Sequence, residues 1–263
     1  MNVYVDANRR DWRYLVDLII QQARAGLRAE ASRGYLGVLW WVIEPVMYMA
    51  VFYVAFAHVM KRGDENFAIF LLVGLIVWKW FYAALSAGAN SLFANAGLMN
   101  LVYVPKIVFP LANIAVNTFK FLVILVLFLL FLQFTPTRMT WSWLLLPGLV
   151  LTQLLLIMAL SCLLAAVMPF FPDLTVILNN VLTMLLFLSG IFFDISKVSA
   201  SMQTYLMLNP IALLINMYRQ ILLEGAPPDW QQLLGVLVFS TATMALAIWL
   251  FKRFDRIYPK IVF

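Results

Sequence analysis

Runs of about 20 apolar residues recur along this chain, and a run of that length is what the roughly 30 Å hydrocarbon core of a bilayer demands of a helix. They fall at 38–60, 67–88, 111–133, 143–168, 174–193 and 231–251. In lipid every backbone N–H and C=O must find its partner within the protein, so such runs fold as helices. Composition points the same way. Of the 263 residues 65% are hydrophobic and 11% charged, against about 25% charged in a soluble domain. A soluble fold has nowhere to hide that much apolar surface. The expectation is an all-α membrane protein, a single transmembrane domain over 1–263 with six transmembrane helices within 38–251.

The segments between the runs refine this. Over 11–31, Trp12, Leu15, Leu18, Ile19 and Gln22 recur at helical spacing, with Arg13, Asp17, Arg24 and Arg28 between them. This pattern predicts an interfacial amphipathic helix at the N-terminus, the alternative being a helix packed on another element. Residues 1–33 lack the apolar core of a signal peptide. Gly34 and Gly37 permit a sharp elbow into the first span, so 1–37 reads as cytoplasmic amphipathic helix and elbow. Residues 194–230 are interrupted by Pro210, Pro227 and Pro228 and are too polar to span. They predict short outer-leaflet helices before the last span, with 252–263 as a cytoplasmic tail.

Charge sets the orientation. Arg9, Arg10, Arg13, Arg24, Arg28, Arg33, Lys106, Lys252, Arg253, Arg256 and Lys260 fall on one side. Lys61, Arg62, Arg138, Lys197 and Arg219 fall on the other. Basic residues stay inside, so both termini are expected in the cytoplasm of a multi-pass inner (plasma) membrane protein. The net charge of +6 is read as this asymmetry, not as a nucleic-acid surface.

Little chemistry is written into the chain. The phosphate-binding pattern G-x-x-x-x-G-K-[ST] is absent, so ATP hydrolysis is not expected here. No Cys/His cluster has metal-ligand spacing. Cys162 lies alone in an apolar run as an inert thiol, and His58 near the end of the first span reads as an interfacial hydrogen-bonding residue. Lys79 and Lys120 lie inside spans, where a charge costs about 2.5–3.5 kcal/mol at the helix centre. Such a lysine snorkels, or, in the case of Lys79, faces a polar path. Glu44-Pro45 in the first span predicts a kink facing protein, water or the interface. Aromatic rings can stack on the C–H faces of sugars, while most serve packing and anchoring. The rings that would line a path are Trp40, Trp41, Tyr48, Trp78, Trp80 and Tyr82, with Lys79 among them.

The segment from Arg33 to Pro45, RGYLGVLWWVIEP, resembles the start of the first span in ABC-2 type permeases that export polysaccharides, the O-antigen, capsule and teichoic-acid exporters. Phe70 to Trp78 is similar to their second-span motif, and Asn90 to Pro110, with Asn100, Lys106 and Phe109-Pro110, to their cytoplasmic loop. Phe170-Phe-Pro-Asp173-Leu resembles their short acidic loop, and Asn209-Pro210 with Tyr218-Arg219 the outer segment before the last span. The resemblance implies a membrane subunit that translocates a polysaccharide, with a permease for a drug or small lipid as the alternative. A membrane enzyme acting on lipid-linked sugar is the third reading, and it finds few polar residues in the spans. The resemblance further implies a homodimer, two cytoplasmic ATPase subunits that hold ATP and Mg, and no cofactor in this chain. It assigns coupling to the ATPase to Arg24, Arg28, Asn95, Asn100, Lys106 and Asp173, and an outer gate to Asn209, Tyr218 and Arg219.

Overall fold

The computed structural model describes residues 12–32, 67–101, 103–135 and 140–262, with single positions between 39 and 54. Most of the first expected span, the Gly34–Gly37 elbow, Trp41, Glu44, Pro45, Tyr48, His58 and the turn at 61–66 lie outside the described residues. The described residues form helices and turns, without a strand.

In chain order these are α1 (Trp12–Ala31), α2 (Phe67–Ala89), the short α3 (Ser91–Ala94) and α4 (Ala96–Leu101), and α5 (Val108–Leu132). Then come α6 (Leu146–Val167), α7 (Leu174–Leu188), α8 (Ala200–Leu206), α9 (Pro210–Arg219), α10 (Trp230–Phe254) and α11 (Tyr258–Ile261). A tight turn of helix at Trp141–Leu145 and another at Met168–Phe170 extend α6 at both ends. One wide turn, Gln220–Glu224, extends α9.

Four of these have the length and composition to cross a membrane: α2, α5, the run Trp141–Phe170 and α10. The helix α7 has 15 residues, about 22 Å at 1.5 Å per residue, and falls short of the core by itself. It ends before the expected limit of 193 because Gly190 takes the left-handed conformation, φ 67°, which terminates helices. The α8 and α9 pair, bent by 107°, together has the length for one crossing or a re-entrant loop. Prolines fall where their missing N–H does least harm, Pro210 opening α9 and Pro147 in the first turn of α6.

The centre of the bundle is α2, with 67% of its most apolar stretch buried, whereas α10 buries 17% of its own. It packs on α5 and α6, and α10 runs along α6. Hydrocarbon does not squeeze helices together as water does, so close approach depends on small residues. A Cβ on Gly88 of α2 would stand 2.8 Å from the Ser161 Oγ of α6. Trp80 stacks on Phe121 of α5 with ring centroids 4.0 Å apart.

α1 is itself packed on a neighbouring helix. It runs along α5, where a Cβ on Gly26 would stand 3.2 Å from Val116 Cγ2. One turn further, Lys120 Nζ meets the Glu30 carboxylate at 2.9 Å. Packing of α1 brings Lys120 a counter-ion. Asn113, Asn117 and Lys120 recur at i, i+4 and i+7 along this half of α5. The pair lies between the surface and buried limits, so Glu30→Lys should cost about 1 kcal/mol. That lowers Tm by about 2–4 °C in a chain of this size. Thermal unfolding in mild detergent measures it, and Lys120→Glu in the same chain should restore the loss.

Candidate functional site

The residues singled out from sequence collect at the two ends of the bundle and along one helix face. At the first end, the chain between α2 and α5 turns through α3 and α4 because asparagine amides fold back onto it. Asn90 Nδ2 donates to Ser86 O at 2.9 Å and Asn95 Nδ2 to Ser91 O at 2.8 Å. The other faces of these amides reach outward. Asn95 Oδ1 accepts from Gln22 of α1 at 3.3 Å, and Asn90 Oδ1 from Thr175 of α7 at 3.4 Å. Asn100 is exposed, as are Arg24 and Arg28 on α1 and Asp173 at the start of α7.

Lys106 is placed differently from the rest of its set. It is 2% exposed, donates from Nζ to Val104 O at 3.0 Å and sits 4.7 Å over the Tyr103 ring. Burial holds its ammonium below the usual lysine pKa, and the nearby Asp255 charge pulls the other way. Asp255, which caps the last span α10, accepts from the Tyr103 hydroxyl at 2.8 Å and from the Lys106 N–H at 3.3 Å. Close by, the Tyr258 hydroxyl donates to Ala166 O at 3.1 Å, and Phe170 packs edge-on against Phe254 and Tyr258. Burial, with a smaller contribution from Asp255, pushes the Tyr258 phenol above its usual pKa, so it stays a donor.

At the other end sit the three residues assigned to an outer gate, and they form a pin. Arg219 is 4% exposed. Its guanidinium donates to Gly190 O at 2.7 Å, Ile191 O at 2.9 Å and Phe70 O at 3.2 Å. It lies 3.4 Å over the Phe70 ring. The fork of an arginine suits this, because it satisfies several carbonyls at fixed angles. Two of those carbonyls follow the C-terminal end of α7, where a helix dipole favours a cation. A Cβ on Gly74 would stand 2.8 Å from the same guanidinium. Asn209 caps α9 by accepting from the Ile211 N–H at 3.1 Å, and its amide donates to Ser189 Oγ at 2.9 Å. Tyr218 is wholly buried, and its hydroxyl has no hydrogen-bond partner among the described residues. Together these join the bent α8–α9 pair to α2 and to the end of α7. The exposed aromatics Phe134, Trp141, Tyr205 and Trp230 gather at this end, as rings do at a membrane–water interface.

The aromatic path candidates divide. Trp78 and Trp80 are 4% and 3% exposed and face neighbouring helices, with Trp80 Nε1 donating to Thr118 Oγ1 at 3.3 Å. Tyr82 and Trp40 are exposed and Lys79 is half-buried, while Trp41 and Tyr48 fall outside the described residues. A face not singled out from sequence stands on α7. It buries Leu178 and Leu182 and leaves Asn179, Asn180 and Thr183 exposed. Amides facing hydrocarbon go unsatisfied, so this strip belongs against protein or water. The signal was the Asn179-Asn180 pair inside an otherwise apolar run. Among the described residues no group of three His, Cys, Asp or Glu is placed to hold a metal ion.

Comparison with known proteins resolves the class. The family model described as ABC-2 type transporter matches residues 24–223. The chain belongs to the ABC-2 type transporter family. It is 30% identical over 237 residues to the O-antigen export system permease protein RfbA of Myxococcus xanthus, covering 89% of this chain and 91% of that one. An O-antigen export system permease protein RfbA of Klebsiella pneumoniae is 26% identical, covering 81% and 82%. The polysialic acid transport protein KpsM of Escherichia coli is 26% identical, covering 86% and 89%. The ABC-2 match takes in α2 to α9 and part of α1, so most of both clusters lies within it, with Gln22, Trp230, Phe254, Asp255 and Tyr258 outside.

Proposed function

We propose that this chain is the membrane subunit of an ATP-driven exporter that carries a polysaccharide, an O-antigen, capsule or similar lipid-linked glycan, across the inner membrane. The observation that carries the reading is near full-length relationship to permeases named for O-antigen export and polysialic acid transport. These relatives favour a glycan over a drug or small lipid. The polar strip on α7 supports it from the geometry, since a path for hydroxyl-rich sugar needs hydrogen-bonding walls in an apolar bundle.

In this reading the chain crosses six times. The first span lies within 38–60, and α7 with the residues after it makes the fifth. The loop end, with exposed Arg24, Arg28, Lys252, Arg253, Arg256 and Lys260, faces the cytoplasm with both termini. Two copies pair so that the first span and the α7 strip enclose the path. Asn179, Asn180, Thr183, Lys79 and Tyr82 meet the glycan there, joined by Trp40, Trp41 and Tyr48, while Trp78 and Trp80 stiffen the wall. Each copy docks one cytoplasmic ATPase subunit, which binds ATP and Mg, through Asn95, Asn100, Asp173 and the exposed arginines of α1. Lys106 shapes the loop from within. Closure of the ATPase pair pushes the 89–110 loop, and the packed helices respond by switching between two arrangements. On the far side Asn209, Tyr218 and Arg219 hold the bent α8–α9 pair beside the exit.

Purification tests the assembly directly. In mild detergent the chain should bring down a nucleotide-binding subunit at a 1:1 ratio, and the permease alone should hydrolyse no ATP. A chain that purifies without such a subunit, or that turns over lipid-linked sugar unaided, contradicts the exporter.

A further inference from the structure

We propose that Asp255 is a positioning residue for transport: it clamps the 103–107 segment to the last span, so that a push on the loop reaches α10 and α6 as well as α5. The inference rests on the exporter reading and adds to it a route for the force.

Both carboxylate oxygens are taken, and by donors from one short stretch. The Tyr103 hydroxyl holds Oδ2 and the Lys106 N–H holds Oδ1, across about 150 residues of chain. Two separate donors fix the carboxylate in orientation as well as distance. The location is otherwise a poor one for an acid. Asp255 follows the last residue of α10, where the helix dipole favours Lys252 and Arg253 and opposes a carboxylate. The helix gains nothing from an acid there, and the loop does.

What lies on each side of the clamp gives it a task. On the loop side, Leu101 is 83% exposed and Tyr103 is exposed too. The tyrosine is thus at the surface, where a partner would press, with Lys106 Nζ over its ring and its hydroxyl on Asp255. The loop continues directly through Lys106 and Ile107 into α5, so α5 receives any push through the chain itself. On the other side, α10 packs along α6. Their shared end is tied by the Tyr258–Ala166 hydrogen bond and by Phe170 against Phe254 and Tyr258. These contacts tie the two helices together, and Asp255 gives that pair a polar contact to the loop. The loop also touches that pair through apolar side chains, Leu92 and Met99 packing in one cluster with Ala166, Phe251 and Tyr258. Such faces can slide, whereas a carboxylate held by two donors keeps its angle. Without Asp255 a displaced loop carries α5 and moves α6 and α10 only in part.

The experiment uses the full complex of permease and ATPase subunit, reading three quantities in one strain: complex recovered, ATP hydrolysed, and polysaccharide detected on intact cells by antibody. Asp255→Ala should leave the recovered complex and its ATP hydrolysis within about twofold of the parent, while surface polysaccharide falls at least tenfold. Tyr103→Phe should fall severalfold. A paired Tyr103→Cys and Asp255→Cys chain, bridged by a short bis-thiol reagent, should regain at least a third of export. The same chain treated with a one-armed reagent should not. Cys162 is buried and stays silent. If Asp255→Ala does not assemble, the bridged pair decides alone. Full export by Asp255→Ala, or a bridged pair as inactive as the unbridged one, overturns the clamp. A parent complex that hydrolyses ATP and puts no polysaccharide on the surface overturns the exporter reading instead.

Discussion

Arg219→Ala is expected to remove the outer pin and with it most of the assembled protein. The loss exposes Gly190 O, Ile191 O and Phe70 O in a buried pocket. Hydrogen bonds to a charged donor contribute about 1.5–3 kcal/mol each, and the two short ones alone give about 3–6 kcal/mol. That is among the largest single-residue effects a folded chain shows. Thermal unfolding of purified protein in mild detergent, followed by tryptophan fluorescence, should show a fall in Tm of at least about 6 °C. Arg219→Lys should recover only part of it, since one ammonium cannot fork to three carbonyls. The pocket can also be tested from its opposite wall. Gly74→Ala places a methyl 2.8 Å from the guanidinium and should weaken the same pin by about 1–3 kcal/mol. The two substitutions share one contact, so the double variant should lose less than their sum. Additive losses would separate Gly74 from the pin.

Gly88→Leu should be nearly as damaging, through steric conflict and without loss of any hydrogen-bonding group of its own. A Cβ there meets Ser161 Oγ at 2.8 Å and Ser161 Cβ at 2.9 Å. Both belong to a contact at which α2 and α6 approach closely, with the Ser161 hydroxyl donating to Ala84 O at 3.3 Å. One added methylene in a packed core costs about 1–3 kcal/mol, and an isobutyl group cannot fit unless the helices part. Yield of monodisperse protein on size exclusion should drop at least tenfold. Gly88→Ala should be milder, and Ser161→Gly should suppress it by removing the group in the way. If the pair is no better than Gly88→Ala alone, the close approach at this point is not what the glycine serves.

The run lengths made most of the fold legible. The expected spans at 67–88, 111–133, 143–168 and 231–251 correspond to helices Phe67–Ala89, Val108–Leu132, Trp141–Phe170 and Trp230–Phe254. The prolines of 194–230 rightly marked a broken segment. What could not be read is which face of each helix points where. α2 is apolar all round, so no period separates buried Trp78 and Trp80 from exposed Tyr82. Nor does a hydropathy run contain its own stop. The fifth run continues to 193, yet Gly190 ends the helix once Arg219, 29 residues later, draws its carbonyl inward. Glu30 and Lys120 were each visible alone, and only packing of α1 on α5 made them a pair. Asp255 carries no signal in the sequence, because the basic residues of the tail mark orientation and an acid among them does not.

The central claim is that this bundle passes a lipid-linked glycan when an ATPase partner works upon it. Proteoliposomes holding both subunits, loaded on the ATPase side with a lipid-pyrophosphate-linked O-antigen glycan, test it directly. The glycan should become accessible to a glycosidase on the opposite side only with ATP and Mg present, and not with a partner unable to hydrolyse ATP. Glycan that crosses at the same rate without hydrolysis, or stays where it was loaded while ATP is consumed, would contradict the account.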